Sequence, residues 1–96
     1  MTAADILALL QVDLGELYPS KQRTAYLQQA IGAAQGFIAR EGIVLTDSVE
    51  DAQLVVMYAA YLVRKRATTE PMPRMLRWAL NNRLFGQKGQ VTDDAT

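Results

Sequence analysis

Cysteine and histidine are both absent from this chain of 96 residues. That excludes disulfides, thiol nucleophiles, imidazole acid–base catalysis and every zinc site that needs a Cys or His ligand. No phosphate-binding glycine pattern occurs, neither GxGxxG nor GxxxxGK[ST]. Ser20 and Ser48 have no histidine to activate them and read as helix caps. The longest apolar run, residues 54–63, falls far short of the roughly 20 residues that a membrane span needs. The amino terminus has neither a positive region nor a long apolar stretch, so synthesis in the cytoplasm without a secretory signal is expected. Formal net charge is zero.

What is present is helical periodicity. The length suits one domain that buries about two thirds of its unfolded surface. Thr2 can cap a short helix near residues 3–10, with Asp5 as a capping-box acid and Ile6, Leu7, Leu9 and Leu10 as its apolar side. Ser20 can cap a second helix running to about Glu41. Its inner stripe is Leu27, Ile31, Ala34 and Ile38, with Ala30 and Phe37 alongside. Gly32 and Gly36 each weaken that helix by about 1 kcal/mol relative to alanine, and close packing of a neighbouring helix is the expected compensation.

Residues 43–45 form a short apolar connector. Asp47 or Ser48 caps the third helix, and Glu50 and Asp51 in its first turn suit the helix dipole. These acids read as dipole partners rather than metal ligands, since no EF-hand spacing surrounds them. Residues 54–63 are apolar on every side, which predicts a buried central helix carrying Tyr58 and Tyr61 in the core. Arg64, Lys65 and Arg66 end it, and Gly86 reads as the stop of the fourth helix.

The fourth helix, within residues 72–85, is the most informative segment. Pro71 and Pro73 impose an extended entry, with Pro73 suited to a first helical turn. Leu76, Leu80 and Leu84 make an apolar stripe, with Met75 and Ala79 beside it. Arg74, Arg77, Arg83 and Trp78 lie largely off that stripe, a surface suited to contact with another macromolecule. The fold expected is a compact all-α bundle of about four helices. They are a short N-terminal helix, two long helices and a C-terminal basic amphipathic helix. Residues 1–86 form the domain and residues 87–96 an extended polar tail with Val91 as its one large apolar residue.

Charge is segregated along the chain. From Asp5 to Asp51 there are seven acids, Asp5, Asp13, Glu16, Glu41, Asp47, Glu50 and Asp51, against three bases, Lys21, Arg23 and Arg40. From Arg64 to Lys88 there are seven bases, Arg64, Lys65, Arg66, Arg74, Arg77, Arg83 and Lys88, and one acid, Glu70. Such a layout favours oriented contact with partners. Three partner classes meet it: acidic protein surfaces, DNA phosphates, or a general helical partner. A helix-turn-helix reader fits poorly, because the connector 67–72 is long and the following helix gives its best face to leucines.

Three blocks together resemble the small phage head–tail connector proteins, also called head-completion adaptors. They are ADILALLQVDLG at 4–15, VMYAAYLVRKR at 56–66 and MPRMLRWALNNRLF at 72–85. The resemblance implies an all-α structural protein of the virion, with no enzymatic activity and no cofactor or metal. It implies a homo-oligomeric ring of about twelve subunits beneath the portal protein. That ring extends the channel for double-stranded DNA and docks the stopper or tail-completion protein. The family has no catalytic motif to carry over, so the candidate residues are interface positions: Arg64, Arg66, Arg74, Arg77, Trp78, Arg83 and Val91. Because phosphates bind Lys and Arg tightly, the lumen is expected to be lined by the acidic first half, with the basic second half facing protein.

Overall fold

The computed structural model describes residues 2–95, with the backbone alone at residue 67 and residues 88–95. Four helices run through it: α1 (Ala3–Asp13), α2 (Lys21–Arg40), α3 (Val49–Ala67) and α4 (Arg74–Ala95). Local chemistry sets the starts. The Thr2 hydroxyl accepts from the Asp5 N–H at 3.2 Å while the Asp5 carboxylate accepts from the Thr2 N–H at 3.0 Å, a reciprocal capping box. Those two bonds to Thr2, backbone then side chain, hold the Asp5 carboxyl below its ordinary range. Ser20 caps α2 through Arg23 N–H, and Ser48, rather than Asp47, caps α3 through Asp51 N–H. Gly15 and Gly42 follow α1 and α2 with φ of 72° and 95°, which only glycine adopts without strain.

α3 is the centre of the bundle and packs against each of the other three helices. Ala52, Leu54, Val55, Val56, Tyr58, Ala59, Ala60 and Val63 are buried, and at 100° per residue they cover about two thirds of its circumference. Leu62 and Tyr61 are only partly buried. Ile6 and Leu10 of α1 face this core, as do Leu27, Ala30, Ile31, Ala34 and Ile38 of α2 and Leu76 and Leu80 of α4. Phe37 stacks on Tyr58 at 5.8 Å between ring centres, and Tyr61 meets Tyr58 edge-on. No helix of the described residues is long and apolar enough to cross a membrane.

Four local expectations are corrected. α1 runs to Asp13, one turn past Leu10. Pro73 stands ahead of the first turn of α4, its carbonyl accepting the Arg77 N–H. Met75 is exposed, so the buried stripe of α4 is Leu76, Leu80 and the partly buried Leu84. Gly86 does not stop α4: its φ is not positive, and the helix continues through it to Ala95 instead of giving way to an extended tail. The Gln87 side chain holds this continuation, accepting from Val44 N–H at 2.7 Å and donating to the Gly42 carbonyl at 2.8 Å.

Gly32 and Gly36 also depart from expectation. Both lie on the exposed side of α2, and a Cβ added at either would meet nothing within 4 Å. Neither therefore serves close helix packing. Gly32→Ala and Gly36→Ala should each raise stability by about 0.5–1 kcal/mol, since alanine restricts the unfolded chain and no atom must move. Thermal melting should show a rise of several degrees for the pair. A fall would mean that this face of α2 is covered.

Candidate functional site

The charged residues form three constellations. The first ties the connector to both long elements around it. Asp51 is 2% exposed. Its Oδ1 accepts from Arg83 Nε at 2.7 Å, and its Oδ2 accepts from Arg83 Nη2 at 3.1 Å, Thr46 N–H at 2.7 Å and Thr46 Oγ1 at 2.8 Å. Burial pushes the Asp51 carboxyl up, but the bonds from Arg83 and Thr46 outweigh it and hold it below the ordinary carboxylate range. Arg83 also donates to the Val44 carbonyl at 2.8 Å and to Gln87 Oε1 at 3.3 Å. Asp51 is thus more than a dipole partner, and Arg83 is committed within its own chain.

The second constellation lies where the ends of α1 and α3 meet the first turns of α2. It is a cleft lined by Glu16, Gln22, Arg23, Tyr26, Arg64 and Arg66, among others. Arg23 forms a two-pronged pair with Glu16, both bonds at 2.8 Å, which lowers the Glu16 carboxyl. Arg64 reaches Asp13 at 3.2 Å, at both its carboxylate and its carbonyl. The Arg23 and Arg66 guanidinium groups both lie on the Tyr26 ring, 5.3 Å and 5.0 Å from its centre.

The third is the outer side of α4. Met75, Trp78 and Phe85 are exposed, Trp78 by 62%. At 100° per residue they share one stripe, nearly opposite Leu76 and Leu80. A groove beside it is lined by Leu54 and Met57 of α3 and by Trp78, Ala79 and Asn82 of α4. Arg74 is exposed at the start of this helix. Arg77 turns to the end of α2 and forms a two-pronged pair with Glu41 at 3.2 Å and 3.0 Å.

The interface candidates therefore separate. Trp78 and Arg74 are exposed, Arg64 and Arg66 share the cleft, Arg77 is paired on the surface, and Arg83 is internal. The Val91 side chain lies outside the described residues. Sequence reasoning missed Gln87, Tyr26 and Arg23. The spacing of Arg83 and Gln87, four apart on one helix face, is the signal that points to Gln87. Tyr26 and Arg23 gave no such signal, because their partner Arg66 is on another helix.

The segregation of charge along the sequence does not survive folding. Asp13 meets Arg64, Glu41 meets Arg77 and Asp51 meets Arg83, each pairing an acid of the first half with an arginine of the second. These three pairs bring the two charged stretches together at the ends of α1 and α2 and at the start of α3. Among the described residues no group of three acids is placed to hold a metal ion. No family model, curated protein or solved structure matches this chain.

Proposed function

We propose that the chain is a structural adaptor of a phage or prophage virion, working as one subunit of a ring at the head–tail junction. The observation that carries this is the second apolar stripe of α4. Met75, Trp78 and Phe85 are exposed on a helix whose leucine face is already committed to the core. Exposed tryptophan flanked by arginine is the composition of an interface anchor. The resemblance of blocks 4–15, 56–66 and 72–85 to head–tail connectors supplies the setting. In that setting the partners are further copies of the chain, the portal protein and the stopper or tail-completion protein, and DNA passes through the lumen. The role is one of shape and contact, not of catalysis. Commitment of Arg64, Arg77 and Arg83 to carboxylates favours protein contact over a DNA-binding role.

Trp78→Ser tests this reading. Its side chain is largely exposed, so the isolated subunit should keep its melting temperature to within a few degrees. Particles carrying it should join heads to tails at least tenfold less often, a loss of the size expected for an interface anchor. Normal joining would remove α4 from the interface.

A further inference from the structure

We infer that the apolar groove between α3 and α4 receives the Leu17–Tyr18 tip of a second copy of this chain. The inference rests on the ring reading and names the contact that would propagate it. Three observations carry it: an exposed apolar tip, a groove of matching chemistry, and one unpaired charge of opposite sign beside each.

Leu17 is 83% exposed and Tyr18 96%, and neither belongs to the core. They stand in the connector between α1 and α2, which is tied down on both sides of them. Gly15 N–H donates to the Val12 carbonyl at 3.1 Å, and Glu16 N–H to the Gln11 carbonyl at 2.9 Å. The forked Arg23–Glu16 pair closes the connector across its base, and Pro19 and the Ser20 cap fix the entry to α2. Two large side chains are thus held out in solvent with little ordering left to lose on binding. The groove answers them. Leu54, Met57, Trp78 and Ala79 give it an apolar lining, with Glu50 and Asn82 beside them. Its volume is about 350 Å³, near the lower end of pockets that enclose a small ligand. Trp78 offers the Tyr18 ring an aromatic face, and Asn82 offers its hydroxyl an amide partner.

Charge points to a second copy as the occupant. Lys21 opens α2, where a cation opposes the helix dipole. Among the described residues no carboxylate lies within ion-pair distance of it. Glu50 is exposed at the groove and has no ion pair either, since the Arg83 guanidinium beside it is committed to Asp51. Three residues of chain reach at most about 10 Å, so a tip seated in the groove brings Lys21 within range of Glu50. The chain's own tip cannot do this. Its connector lies at the far end of α3, where Asp13 meets Arg64 and Glu16 shares a cleft with Arg64 and Arg66. Along α3, Glu50 is about 21 Å from Arg64 at 1.5 Å per residue. The contact therefore joins two different surfaces, and every pair of copies keeps one free tip and one free groove. Such contacts repeat, closing into a ring if the rotation allows and extending into a filament if it does not.

Sedimentation velocity of the full chain tests this. Leu17→Ser combined with Tyr18→Ser should keep the melting temperature to within a few degrees, because both side chains are exposed. It should raise the dissociation constant for self-association roughly tenfold or more, and Trp78→Ser should do the same from the groove side. Mixing these two variants should give heterodimers and nothing larger, because one intact tip and one intact groove remain to pair. Lys21→Glu and Glu50→Lys should each weaken self-association, and mixing them should restore it. Unchanged self-association of the tip variant would overturn the contact while leaving the ring reading standing. A tip and groove mixture that stays monomeric would overturn the pairing of these two surfaces. Charge variants that stay apart when mixed would overturn the match of Lys21 to Glu50. A wild-type chain that remains monomeric at every concentration would overturn the contact, and the ring reading would then stand or fall on assembly upon the portal.

Discussion

Asp51→Ala is expected to cost about 3–5 kcal/mol, the usual result of breaking a buried ion pair and leaving one partner behind. Four hydrogen bonds end on this carboxylate, two from Arg83 and two from Thr46. Removing it strands the Arg83 guanidinium, which is mostly buried, and frees the connector that leads into α3. The loss should depend on pH with a definite sign. The folded carboxyl lies below its unfolded value, so its contribution is complete above about pH 4 and fades as pH falls through the folded value. Urea denaturation of wild type and variant should therefore differ most near neutral pH and converge in acid. A difference that grows on acidification, or a loss below about 1 kcal/mol at pH 7, would show that the pair is not closed as described.

Leu80→Ala should cost about 2–5 kcal/mol, the range for a packed leucine whose removal leaves a cavity. Leu80 is 1% exposed and joins α4 to the core. Leu62→Ala should cost clearly less. Leu62 lies on the central helix, where the apolar run predicts deep burial, yet it is only partly buried and keeps contact with solvent. A small domain is stable by about 5–15 kcal/mol, so Leu80→Ala alone can remove a large fraction. Equal losses at positions 62 and 80 would contradict the partial burial of Leu62.

Local rules made most of the fold legible. Thr2, Ser20 and Ser48 each stand just before an apolar-periodic segment, and each caps the helix that follows. The ten apolar residues of α3 specify a buried helix whatever their partners are, because no amphipathic face is left to choose. Where the reading failed, the deciding contacts were distant in sequence. Gly86 is a helix stop by local preference, but Gln87 gains two backbone partners in the connector only if the helix continues. Arg83 looked like a surface cation because its acid, Asp51, is supplied by another helix. Met75 precedes the first leucine of the stripe, Leu76, by one residue and by sequence reads as part of it. The buried arc of α4 is narrower than that, and Met75 falls outside it, beside Trp78 and Phe85. These exposed residues are legible as an interface only after the core has been assigned, since the same letters in a sequence serve a core equally well.

Electron microscopy of the purified chain, alone and mixed with a phage portal protein, tests the central proposal most directly. Closed rings of uniform subunit number are expected, with an open centre wide enough for duplex DNA, either free or seated on the portal. Single 96-residue particles that never assemble and never bind the portal, at any concentration used, would contradict it.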